Sequence, residues 1–242
     1  MELVTGGAGF IGSHLVDSLV SKGLKVRVLY NFSSGRQEFL EHHDGTNNVE
    51  IVIADLLDLD AVKSAMKGIE TVHHLAANPD IRLGTEITNT DLQQGTIATY
   101  NVLEAMRHNG VKRISFASSS AIYGEASVMP TPETYGPVLP ISLYGASKLA
   151  SEALISSWCG TFGGEAWINR FANIVGPRGT HGVIFDFIHK LKIALKEADE
   201  SEYWLFLCEN LEDCSSPTVL IEKLSIILKV LTKIISTSKT RK

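Results

Sequence analysis

The chain has 242 residues, 44% hydrophobic and 20% charged, a formal charge of −5 and a pI near 5.9, so it can bury a sizeable core and has no basic excess. A nucleic-acid partner would need a basic patch or stripe; a small-molecule ligand is expected instead. Cys159, Cys208 and Cys214 are an odd count without paired spacing, which argues against a disulfide framework or a cysteine zinc site and fits a reducing cytoplasm. The N-terminus reads as strand and turn rather than as a secretory leader. The longest apolar-rich stretch, Val219 to Ile235, is broken by Glu222, Lys223, Lys229 and Lys233 and makes a poor membrane span.

In chain order, the apolar pair Leu3-Val4 runs into Thr5-Gly6-Gly7-Ala8-Gly9-Phe10-Ile11-Gly12, and a helical apolar spacing follows through Ile11, Leu15, Leu19 and Val20. That is strand, tight turn, helix. One glycine makes the turn, one lets backbone approach a pyrophosphate, and one lets the helix pack closely on the strand, while the helix start attracts the anion. Strands are then expected at Lys25–Tyr30, Val49–Ala54, Thr71–Leu75, Arg113–Ala117 and Ala166–Phe171. Helices are expected at Leu56–Lys67, Glu86–Asn109, Ser142–Phe162 and Val183–Lys196. This alternation predicts right-handed βαβ units and an α/β doubly wound parallel sheet, with ligands outside the carboxyl ends of its strands.

The composition then changes. All 20 glycines lie at or before Gly182, so the last 60 residues contain none, where average usage would give roughly four. In that tail Leu220, Leu224, Ile227, Leu231 and Ile234 predict one helical stripe, and Ser236 to Lys242 reads as a frayed polar end. Two histidine pairs, His42-His43 in a polar loop and His73-His74 at a strand end, lack the i, i+4 helical context of a metalloprotease, and no metal site is expected.

Tyr144 and Lys148 stand four apart on a predicted helix and therefore on one face. A nearby ammonium is expected to favour the phenolate and lower the tyrosine pKa from about 10, making a group that takes and returns a hydroxyl proton. Upstream, Ser118, Ser119 and Ser120 follow an apolar strand, at the sheet edge where the glycine loop also opens.

TGGAGFIG, His74-Leu75-Ala76-Ala77, SSSAIYG and YGASK together resemble the extended short-chain dehydrogenase/reductase family, in its NAD-dependent epimerase/dehydratase branch and most closely the nucleotide-sugar epimerases of UDP-glucose 4-epimerase type. The resemblance runs from residue 1 to about 192. It implies a Rossmann-type domain over 1–192 and leaves 193–242 as an atypical tail, a truncated, altered or frameshifted version of the family's small substrate region. It implies NAD as cofactor, a UDP-sugar as substrate, a cytoplasmic location and, among possible assemblies, a homodimer. Residue by residue, it implies that Gly6, Gly9, Phe10, Ile11 and Gly12 hold the pyrophosphate. Asn31 would lie on the cofactor side, Asp55 and Leu56 would flank the adenine, and Leu75, Ala76 and Ala77 would line the path to the nicotinamide. Ser119, Tyr144 and Lys148 would be catalytic, the last two also touching cofactor, and Ser120 and Asn173 would reach the substrate.

Two departures stand out. The acid expected about 20 residues after Gly12 is Tyr30, followed by Asn31, so the charged contact to the adenosine ribose is missing. A family asparagine is replaced by Gly95. A nucleotide-sugar 4-epimerase is the expected activity, ahead of an NAD-binding remnant without turnover and of a nucleotide-sugar 4,6-dehydratase. The dehydratase would need an Asp-Glu pair where Ser120-Ala121 stand.

Overall fold

The computed structural model describes residues 1–179, 183–209 and 217–239; Gly182, Cys214 and the end of the expected polar tail, 240–242, lie outside the described residues. The chain forms two compact units, Met1–Ile174 and Val175–Lys242.

The first unit is built on six parallel strands, β1 (Glu2–Thr5), β2 (Val26–Tyr30), β3 (Val49–Ile53), β4 (Thr71–His74), β5 (Arg113–Ser119) and β6 (Glu165–Phe171), in the order β3-β2-β1-β4-β5-β6. Central strands covered on both faces carry runs of apolar residues, and adjacent side chains serve opposite layers. Leu3 joins Val72, Ile114 and Phe116 in a core closed by α2 (Leu59–Ala65), α4 (Ala98–Asn109) and α5 (Leu143–Phe162). Val4, with Val26 and Val28, packs on the other face against Val16 and Leu19 of α1 (Phe10–Ser21).

Caps fix where these helices begin and end. Asp58 accepts from the Ala61 amide at the start of α2, and Ser142 Oγ accepts from the Gly145 amide at the start of α5. Gly110 and Gly163, both left-handed, close α4 and α5. Between β1 and β4 the strand order reverses, because β1 connects to β2 on one side while β4 pairs with β1 on the other. The carboxyl ends of those strands therefore flank the crevice where ligands bind in such sheets.

The single helix expected over Glu86–Asn109 is broken. A short α3 (Leu83–Glu86) is followed by a π-helical segment, Leu92–Ile97, that leads into α4. Gly95 lies in this widened turn beside α5, where a Cβ would stand 2.7 Å from Ser147 Oγ, so the close approach needs glycine there.

In the second unit, α6 (Val183–Glu209) runs past the expected end at Lys196, and the expected domain boundary at 192 falls inside it; α7 spans Thr218–Lys239. The positions expected to fray, Ser236 to Lys239, are helical. The tail stripe is also corrected: Leu220, Ile227 and Ile234 are exposed, and the less exposed line is Ile221, Leu224, Leu228, Leu231 and Ile235. The reason is that α7 is apolar around most of its girth, so the 3.6 spacing admits neighbouring stripes.

Candidate active site

The glycine loop closes on itself. Gly6 takes a φ of +69° and comes so near β4's end that a Cβ on it would lie 2.9 Å from the Ala76 backbone, while a Cβ on Gly12 would collide with the Gly6 carbonyl. Gly9 is the N-cap of α1, so the first helical N–H groups, those of Phe10, Ile11 and Gly12, have no partner within the helix and suit a pyrophosphate. Leu75, Ala76 and Ala77 follow β4 against this loop, with the Ala76 amide donating to Thr5 Oγ1 at 3.3 Å. Loop, helix start and β4 end thus meet at the switch point, and this cradle fits a dinucleotide.

The adenosine side is more committed to itself. The Tyr30 hydroxyl donates to the Gly35 carbonyl at 2.6 Å, its ring is 7% exposed, and burial raises its pKa. Asn31 donates to Asp55 Oδ2 at 2.9 Å and accepts from Ser33, while Asp55 Oδ1 accepts from the Leu57 amide. The Leu56 side chain is in the core, and its carbonyl accepts from Asn101. Asn31, Asp55 and Leu56 are therefore tied to one another and to the core through these contacts.

Ser119, Tyr144 and Lys148 come together at the carboxyl end of β5. The Ser119 side chain is near enough to Tyr144 to favour the ionised phenol. Ser119 Oγ also accepts from the Ala121 amide at 3.1 Å, which fixes the turn after the strand. Lys148, 3% exposed, donates to the Ala117 carbonyl at 2.7 Å and lies 5.7 Å from the Tyr144 ring centroid. The expected lowering of the tyrosine pKa is not found. Burial raises it, with the Ser119 side chain opposing and Asp91 adding to the rise. Desolvation wins because the lysine's nearest bond is to a carbonyl rather than to the phenol. Burial also brings Lys148 down to about 8, with Asp91 opposing. Ser120 is exposed at the start of the 3₁₀ turn Ser120–Tyr123, and Asn173 is exposed two residues beyond β6.

Two supporting acids escaped the reading of motifs, and His74 was read only within a motif and as a metal candidate. Asp91, 1% exposed, accepts from Asn78 Nδ2 at 3.0 Å through one oxygen, while the other is buried without a hydrogen-bond partner among the described residues. Glu152 lies one helical turn past Lys148, receives the Ser118 hydroxyl at 2.5 Å, and pairs with Arg170 at 2.8 Å; Arg170 also donates to the Tyr123 hydroxyl at 3.0 Å. This network braces the segment that carries Ser119. His74, 1% exposed, lies between Thr5 Oγ1 at 2.8 Å and Thr99 Oγ1 at 3.1 Å. An acid on the inner face of the Glu86–Asn109 segment and one at i+4 from Lys148 were the available signals, and neither has a motif of its own.

A parallel sheet of order 3-2-1-4-5-6 with a glycine-lined helix start and a Ser/Tyr/Lys cluster across the same crevice is a dinucleotide-binding domain of the short-chain dehydrogenase/reductase class. The model of the NAD dependent epimerase/dehydratase family matches residues 2–204, and the chain belongs to that family, whose coenzyme is NAD. A putative UDP-glucose 4-epimerase of Methanocaldococcus jannaschii is 39% identical over 197 residues, which are 79% of this chain and 63% of that protein. A crystal structure of a UDP-galactose 4-epimerase superposes with a TM-score of 0.71 at 47% identity, covering 80% of this chain and 63% of the other. A dTDP-glucose 4,6-dehydratase from Streptomyces venezuelae, solved with NAD bound, gives a TM-score of 0.75 at 27% identity, covering 80% and 62%. The chain spans less than two thirds of the length of each.

Proposed function

We propose that the chain carries the coenzyme-binding and acid/base machinery of a nucleotide-sugar 4-epimerase acting on a UDP-sugar of the UDP-glucose/UDP-galactose type. The observation that carries this reading is Ser119 at the end of β5 beside Tyr144, with buried Lys148 one turn along the same helix, at the sheet edge where the glycine loop opens. Gly6, Gly9 and the amides of Phe10, Ile11 and Gly12 would hold the pyrophosphate of NAD, with Leu75, Ala76 and Ala77 along the path to the nicotinamide. NAD, when bound, supplies the acceptor and later the donor of the C4 hydride.

The protein's part is proton handling and orientation. Tyr144 Oη takes the proton of the sugar C4 hydroxyl as the C4 hydrogen leaves with its electron pair, and Ser119 hydrogen-bonds the same oxygen and relays the proton. The 4-ketose turns over, receives hydride on its other face and regains the proton from Tyr144. Burial holds the free phenol protonated, with Ser119 opposing, so Tyr144 would have to ionise before it takes the proton, and a positive Lys148 5.7 Å from its ring centroid would favour that step. Ser120, next to Ser119, and Asn173, two residues beyond β6, are both exposed and would meet the sugar nucleotide. Ser120 and Ala121 supply no carboxylate, which argues against a 4,6-dehydratase.

Segment 193–242 contains no glycine, the residue that tight turns of a sugar-nucleotide clamp favour, and we read it as leaving turnover low. The test is interconversion of UDP-glucose and UDP-galactose by the parent, by Tyr144→Phe, and by a chimera carrying a complete relative's C-terminal region after Lys192. Tyr144→Phe is expected to lower kcat by about 10² to 10⁴ in both backgrounds. Unchanged turnover in that variant overturns the assignment of the proton to Tyr144, and a parent that matches the chimera overturns the reading of the tail.

A further inference from the structure

Among the described residues, one cluster of metal-ligating side chains lies outside the site above. Asp17 on α1 meets His42 and His43 on the 3₁₀ turn Glu41–His43. Both imidazoles place Nε2 2.7 Å from the same oxygen, Asp17 Oδ1, with ring centroids 4.0 Å apart. His43 is 10% exposed, Asp17 30% and His42 48%, so the cluster is anchored on one side and open to water on the other. Expectation from sequence passed over this pair because it tested helical spacing alone, whereas the third donor arrives from an element 25 residues earlier.

We propose that Asp17, His42 and His43 form a binding site for a divalent transition ion of the zinc class. Two neutral imidazole nitrogens and a carboxylate are the donors that Zn²⁺, Co²⁺ and Ni²⁺ prefer, and the set is too nitrogen-rich for Mg²⁺ or Ca²⁺. Metal–ligand bonds of about 2.0 to 2.2 Å at a tetrahedral angle put ligand atoms roughly 3.3 to 3.6 Å apart, so the present 2.7 Å contacts need to open by about 0.6 to 0.9 Å. Each ring, kept neutral with its one proton on Nδ1, offers the Nε2 lone pair to the ion in place of the present contact to Asp17, and water fills the open position.

Such an ion would act on the coenzyme loop. α1 begins at that loop, and the segment before the histidines is tied to it, since the Arg36 amide donates to the Ala8 carbonyl at 2.9 Å. Gln37 and Leu40 of that segment line a cavity of about 220 Å³ with Ala8, Tyr30 and Phe32. Bridging Asp17 to both histidines would pin the cavity's outer wall to the helix that opens at the phosphate site.

The experiment uses the tag-free full chain, with Zn²⁺ competed against a chromogenic chelator and melting followed with and without the ion. One equivalent is expected to bind, with a rise in melting temperature, and excess Mg²⁺ should not displace it. His42→Gln and Asp17→Asn should each weaken binding by at least about ten-fold. A variant with Cys159, Cys208 and Cys214 all replaced by serine should bind as the parent does. His42 is half exposed, so His42→Gln should keep the metal-free melting temperature, and the loss is then read as a ligand lost. Absence of stoichiometric binding, equal affinity in His42→Gln, or loss confined to the cysteine variant overturns the proposal.

Discussion

Phe116 and Trp204 are both large apolar side chains, yet the first is 1% exposed and the second 58%. The difference holds across the two units. In Met1–Ile174, strands and helices enclose two cores, one on each face of the sheet. In Val175–Lys242, the buried apolar residues among those described are Ala198, Pro217 and Ile235, while Phe187, Trp204, Ile226 and Val230 are more than half exposed. Apolar content alone does not make a core. A sheet with helices on both faces sandwiches each apolar strand, whereas two paired helices share one seam and leave the rest of an apolar girth outside.

The largest effect that probes this contrast is Phe116→Ala. Removing a fully buried ring from the centre of the first unit is expected to cost about 3 to 5 kcal/mol in urea unfolding. It should also harm turnover, because Lys148 Nζ lies 4.9 Å above that ring. A loss under about 1 kcal/mol would mean that the first unit's core is as loosely held as the second's.

Acid should weaken the first unit through His74. Burial, with a smaller effect of Lys148, lowers its pKa from 6.5 to about 3, so the folded state holds it neutral. Its contribution is fully present above the unfolded pKa near 6.5. As pH falls from there towards 3 the unfolded chain gains a proton that the folded chain refuses, and stability is lost, by roughly 3 kcal/mol at about pH 4.5. Unfolding of parent and His74→Gln at about pH 7 and 4.5 measures this, and the variant should show the shallower acid loss. Equal slopes would mean that His74 takes up its proton in the fold.

These effects also show what was legible in the sequence. The doubly wound sheet was, because Leu3-Val4, Val26–Tyr30 and Thr71–His74 are buried on both faces and interleave with helices whose caps are local. That Tyr144 and Lys148 share a helix face was, because one helical turn fixes their spacing, while Ser119 came from the resemblance; what the three do remains the proposal above. Asp91, Glu152 and the Asp17 contact to His42 and His43 were not, since each depends on which segments the fold brings side by side. The π-helical turn at Leu92–Ile97 was hidden as well, and the close approach of its Gly95 to Ser147 of α5 shows only once the two helices are packed. The tyrosine pKa was misjudged because spacing reports a neighbouring charge and not burial.

Gly95→Ala tests that packing with a smaller change. Its Cβ would meet Ser147 Oγ at 2.7 Å and Ser147 Cβ at 2.9 Å, and overpacking of this kind costs about 1 to 3 kcal/mol. Gly160, in α5 with nothing within 4 Å of its Cβ position, is the control: Gly160→Ala should stabilise by about 0.5 to 1 kcal/mol, read from melting curves. If both variants destabilise alike, close approach at Gly95 is not what selects glycine there.

The smallest expected effect on stability falls in the second unit. Trp204→Ser and Ile226→Lys remove side chains that are 58% and 62% exposed, so each should change unfolding free energy by no more than about 0.5 kcal/mol and leave coenzyme affinity as it was. Self-association should respond far more. Exposed apolar area of this extent on α6 and α7 favours contact between copies, and a serine and a lysine break it up, so sedimentation velocity should show the double variant less associated than the parent at equal concentration. A several-kilocalorie loss of stability on either substitution would place these residues in a core, and the contrast between the two units would then fail.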